Sequence, residues 1–169
     1  MLNNLNKLIA RAKNNKRLEA YKNLAMDEKN FKYVMDNLGI ILPDDFIKIN
    51  KLFRYDVFSF QELLDFCLES DNWDGVIKSN LELRKDYAKH SEGKSDMSHI
   101  LVLADDDGGS VFMITRDSPE KLTPVIWCDY GDMYYYSIHK EFRNPHDEWP
   151  SFTAFFEYLV EQEEKKLME

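Results

Sequence analysis

Four histidines, two cysteines and 31 carboxylates are the side chains with which this chain of 169 residues could do chemistry. Cys67 and Cys128 stand far apart in the sequence and neither belongs to a His–Cys cluster, so no zinc site or disulfide framework is expected. Cys67 beside a histidine would make a thiol nucleophile, but Leu63, Leu64 and Leu68 around it describe a packed, inert thiol. His139 and His146, the second followed by Asp147 and Glu148, are metal-ligating types. A polar loop ahead of the last helix accounts for them without a metal. Asp105-Asp106-Asp107-Gly108 begins like a calcium loop, yet the twelfth position of that spacing is Arg116 instead of a bidentate carboxylate. No phosphate-cradling glycine motif, nucleophile elbow or H-E-x-x-H occurs. With 31 acids, no pair of carboxylates stands out as a general acid and base. The expectation is a protein that is not an enzyme and takes no cofactor.

The elements that would position these residues are helices at both ends and strands between. Leu2, Leu5, Ile9 and Ala12 recur at helical spacing, and Leu18, Tyr21, Leu24 and Ala25 continue the pattern after a slip at Asn14–Asn15. Asp27 predicts the cap of a second helix with Phe31, Val34, Met35 and Leu38 on one face, and Gly39 its left-handed stop. Pro43 suits the first turn of a third helix, Asp44 and Asp45 favour its positive end, and Phe46, Ile49 or Ile47, and Phe53 would be buried. Ser59-Phe60-Gln61-Glu62 has capping-box spacing ahead of Leu63, Leu64, Cys67 and Leu68. Val76, Ile77, Leu81 and Leu83 suggest a further helix within the mixed stretch Asp71–Glu92.

At His99 the pattern changes. His99–Ala104 reads as a buried strand, residues 105–109 as a hairpin connection, and Ser110–Thr115 as the partner strand. Thr123–Asp129 reads as a third strand and, after a turn at Gly131, Met133–Ile138 as a fourth. On that strand Tyr134, Tyr135 and Tyr136 would alternate faces, leaving one or two rings outside. Phe152, Phe155, Phe156, Leu159 and Val160 form one stripe of a last helix that starts at Pro150–Ser151. The fold class is α+β, a mainly antiparallel sheet of four or more strands flanked by N-terminal helices and a C-terminal helix.

Composition narrows the class. Hydrophobic residues make up 44% and aromatic residues 14% of the chain, which excludes disorder. Its length fits one domain of the usual ~100–200 residues. The longest apolar run, Ile100–Ala104, is far below the ~18 residues of a membrane span. Met1–Lys16 alternates charge and asparagine with apolar positions, unlike a secretory signal, so a cytoplasmic protein with no membrane partner is expected. The net charge of -9 is uneven. Residues 1–35 carry eight bases and three acids, residues 36–104 thirteen acids and eight bases, and residues 105–169 fifteen acids and six bases. The basic segment permits pairing within the molecule or a two-signed partner surface. The acidic body would repel nucleic acid and attract a basic protein.

The order of these signals resembles the SUKH superfamily, which includes the Smi/Knr-type cell-wall-synthesis regulators and many bacterial immunity proteins. The resemblance rests on Leu42-Pro43-Asp44-Asp45-Phe46 opening a helix, the run Ile100–Thr115 with its acidic–glycine hairpin, Pro124–Asp129, and Ser151-Phe-Thr-Ala-Phe-Phe156. It covers roughly residues 40–160. It implies a single domain at 39–169 and no catalytic residues; residues 1–38, which the resemblance does not cover, are expected to form a helical extension packed on the same domain. The implied activity is binding and neutralising a toxin, often a nuclease or deaminase. A regulatory scaffold binding a non-toxin partner is the alternative that the same family implies. Sheet-loop position and charge nominate Asp105, Asp106, Asp107, Asp129, Asp132, Tyr135 and Trp127 as partner-binding residues, although Trp127 reads more readily as core. A monomer or weak homodimer is expected.

Overall fold

The computed structural model describes residues 2–14, 27–51, 74–105, 108–144 and 146–166. Three helices come first: α1 (Leu2–Asn14), α2 (Glu28–Leu38) and α3 (Asp44–Asn50). Asp27 and Asn30 cap α2 reciprocally, each side chain accepting from the other residue's backbone N–H. Gly39, at φ 65°, ends the helix and donates its N–H to the Met35 carbonyl. Pro43 is the residue just ahead of α3, not part of its first turn, and Asp44 and Asp45 occupy that turn. Phe46 and Ile49 are buried, and Ile47 is half-buried. The expected continuation at residues 18–25, the burial of Phe53, and the helix at Ser59–Leu68 with Cys67 lie outside the described residues.

The mixed stretch resolves into one helix, α4 (Asp74–His90), and the chain then enters a four-stranded antiparallel sheet in sequential order. Its strands are β1 (Ile100–Asp105), β2 (Gly109–Ile114), β3 (Val125–Asp129) and β4 (Asp147–Trp149). Helix α5 (Tyr130–His139) intervenes between β3 and β4, and α6 (Phe152–Lys166) closes the fold. The α+β class is as the sequence predicts.

The fourth strand is not. Met133–Ile138 lies within helix α5, and the fourth strand is Asp147–Trp149, a segment read from sequence as loop. The reason is local. Asp129 ends β3 and at once caps the next helix, its carboxylate accepting from the Asp132 N–H at 2.8 Å. Asp132, Met133, Tyr136 and Ser137 then bury one face at helical spacing. The three consecutive tyrosines mask that period.

Both faces of the sheet are covered, which is why β1 and β2 read as continuous apolar runs. Leu101, Leu103, Val111, Met113 and Val125 face the layer formed by α1, α2, α3 and α6. Ile100, Val102, Phe112, Ile114, Ile126 and Cys128 face Met133 and Tyr136 of α5. The stripe on α6 is buried as read, and Phe152 meets Phe46 of α3 edge-to-face at 4.6 Å. Each such ring contributes about 1.5–3 kcal/mol by leaving water.

Helix α4 seals the outer edge of β1. The Asn80 carboxamide, itself buried, donates to the Val102 carbonyl at 3.1 Å and accepts from the Val102 N–H at 2.9 Å, acting as a one-residue substitute strand. Arg84 extends the seal, donating to the carbonyls of Ile100, Ser98 and Leu38. No described helix is long and apolar enough to cross a membrane.

Candidate protein-binding surface

The register of the sheet places several nominated residues at one end. Asp105 pairs with Ser110, and Gly109 pairs with Asp129, so the start of β2 sits beside the start of α5. Asp106 and Asp107, and the side chain of Asp105, lie outside the described residues. Asp129 is exposed, but one of its oxygens already caps α5.

Asp132 departs from its expected role as a surface acid. Its side chain is almost fully buried, and its two oxygens are taken by the segment that follows α5. Oδ1 accepts from the Arg143 backbone N–H at 3.3 Å, the Arg143 Nε at 3.4 Å and the Asn144 side-chain amide at 3.3 Å. Oδ2 accepts from the Asn144 N–H at 3.0 Å. A buried carboxylate is stable only with such a full set of donors. These bonds fold residues 143–144 back onto the helix, and a further one from Arg143 Nη2 to the Gly131 carbonyl, 3.1 Å, fixes the guanidinium.

That anchoring builds the exposed face of α5. The Arg143 guanidinium lies 4.6 Å from the centre of the Tyr135 ring, within cation–π range. Tyr135 and His139, one helical turn apart, stack at 4.2 Å and 28°. The Tyr135 hydroxyl donates to Glu141 at 3.2 Å, a bond that holds the phenol proton and raises the phenol above its ordinary pKa. Elsewhere on α5, Tyr136 stacks on Phe142 at 4.5 Å, and Phe142 meets His146 at 4.1 Å. Alongside, the Tyr87 and Tyr134 rings meet edge-on at 5.2 Å, and partly exposed Tyr130 accepts from the Tyr87 hydroxyl through its carbonyl.

Trp127 is not part of this surface. It is half-buried on the opposite sheet face, packed against the core under α1 and α6. His139 and His146 take part in ring contacts, and among the described residues no three His, Cys, Asp or Glu side chains are placed to hold a metal ion. Cys128 is buried, and burial, then the nearby Asp132 and Asp129 charges, push its thiol up to about 12, too high to form a nucleophile at neutral pH.

The sequence nominates neither Arg143 nor Glu141, and marks His139 only as a metal-ligating type. The signal that would have found them is the Asp129–Asp132 spacing, a helix start that puts Tyr135 and His139 on one face. The arrangement brings aromatic rings, a guanidinium and the Glu141 carboxylate together on one face. No family model, curated protein or solved structure matches the chain.

Proposed function

We propose that this chain is a non-enzymatic protein-binding module that neutralises a basic toxin domain by direct contact, in the manner of an immunity protein. The observation that carries this reading is the array of Tyr135, His139 and Arg143, held in place by the buried Asp132 carboxylate. Tyr and Arg are the residue types that most often anchor protein interfaces. An anchor whose rotamer is fixed beforehand loses less entropy on binding than a free side chain. The net charge of -9 supports the choice of partner. A toxin that handles nucleic acid needs a basic cleft, and an acidic inhibitor approaches such a cleft faster and more selectively than a neutral one.

The test is co-expression with the polymorphic toxin encoded nearest this gene, scored by growth and by pull-down at rising salt. Restored growth with salt-sensitive capture, both lost in the Tyr135→Ala/Arg143→Ala double variant, is the expected result. A chain that neither binds nor protects contradicts the toxin partner. A chain that protects equally well with the double variant contradicts the surface.

A further inference from the structure

On the face of the molecule away from α5, an open groove of about 350 Å³ runs between α1, α3, the start of α6 and the β2–β3 connection. Leu5, Pro119, Leu122 and Ala154 form its apolar lining. Leu122 is 51% exposed, the most exposed large apolar side chain among the described residues. The groove is braced on both sides. The Asp44 N–H donates to the Pro119 carbonyl at 2.9 Å, and the Asp45 carboxylate accepts from the backbone N–H and hydroxyl of Thr153 at 2.8 and 2.9 Å. These bonds tie α3 to the connection and to α6, so the groove is part of the resting fold.

The rim carries a net negative charge. Asp44, Glu120 and Glu157 stand exposed around it, and Lys48 and Lys121 are the basic residues of the lining. Lys121 pairs with Asp117 at 2.5 Å and Glu157 lies 3.7 Å from Arg11, both exposed pairs, so the carboxylates of the rim still outnumber its cations. An apolar floor under a carboxylate rim selects a ligand with the reverse layout.

We propose that this groove is a second docking site, and that its occupant is a short basic segment of a protein partner presenting one large apolar side chain between lysines or arginines. The volume admits one aromatic anchor with part of its flanking chain. The site is independent of the α5 surface.

The experiment titrates the ¹⁵N-labelled full chain with the peptide acetyl-Lys-Trp-Arg-amide and, separately, with acetyl-Glu-Trp-Glu-amide, following backbone amide shifts by NMR. The cationic peptide should give saturable shifts confined to residues around Leu5, Lys121, Leu122 and Ala154, and the acidic peptide should bind more weakly. Leu122→Ser, at an exposed position that does not endanger the fold, should weaken the cationic peptide about tenfold. Asp44→Asn with Glu120→Gln should abolish the preference between the two peptides. Absence of saturable shifts overturns the proposal, as do equal binding of both peptides or shifts centred on α5. Shifts at the groove that depend on protein concentration without peptide would instead identify a second copy of this chain as the occupant, and would overturn it too.

Discussion

Replacing Asp132 by alanine leaves the donors of Arg143 and Asn144 without their acceptor beside a buried gap. Unmade buried hydrogen bonds cost about 1–3 kcal/mol each, so Asp132→Ala should lower unfolding stability by about 2–4 kcal/mol in urea titration. Arg143→Ala should cost less than about 1 kcal/mol, because the guanidinium is half exposed and its pair with Asp132 is partly screened. Equal losses in the two variants would contradict the view that Asp132 organises the segment. A second carboxylate acts on the acid limb. Asp96 accepts from the hydroxyl and N–H of Ser98, with Lys140 and His99 nearby, and its carboxyl falls to about 2. A carboxyl lowered in the folded state stabilises it above the ordinary carboxylate range, and the contribution disappears as the pH falls through the folded value. Asp96→Asn should therefore lower the urea midpoint at pH 5, and the gap from wild type should narrow as the pH falls toward 2. The effect is small because Asp96 is more than half exposed. A gap that widens toward pH 2 would contradict the assignment.

At the scale of elements, the edge of β1 is the most exacting feature. Asn80→Ala removes both partners of the Val102 peptide group in a buried setting, and a loss of about 2–3 kcal/mol is expected in chemical denaturation. A change below 0.5 kcal/mol, the usual scatter of surface substitutions, would mean that water replaces the carboxamide without cost. Asn80 also marks where sequence reading stops, since nothing in its neighbours tells that it faces a strand 22 residues away. Helix α2 was legible because Asp27 and Gly39 signal its two ends locally, and α6 because five apolar residues keep one stripe. Helix α5 was not, because Tyr134-Tyr135-Tyr136 satisfies strand and helix patterns alike and the deciding cap, Asp129, was already assigned to a strand. In strand β4, Asp147 and Glu148 disfavour a strand and only Trp149 favours one. The strand forms because β3 offers an edge. The surface on α5 was legible only in Tyr135 and Asp129. Asp132 belongs beneath it, and an acid reads as solvent-facing unless its distant donors are known.

Over the whole molecule, the uneven charge has an internal use as well as an external one. Basic α1 lies against acidic α6, with Arg11 donating to Glu164 at 2.7 Å, while Leu5, Leu8 and Ala12 enter the common core. The apolar contacts should dominate this docking. Leu8→Ala is expected to cost about 2–4 kcal/mol and Arg11→Ala less than about 1 kcal/mol, measured by thermal and urea unfolding of the full chain. The reverse order would make α1 an electrostatic attachment instead of a core element. The negative charge left over, concentrated in residues 105–169, is what a basic partner would meet. The proposed function stands or falls on recognition through the face of α5. Its most direct test places a photo-crosslinking phenylalanine analogue at Tyr135 in cells that carry this gene natively, with the same analogue at exposed Lys32 on α2 as the comparison. Position 135 should give a discrete heavier adduct that position 32 does not. No adduct at 135, or the same adduct from both positions, would contradict it.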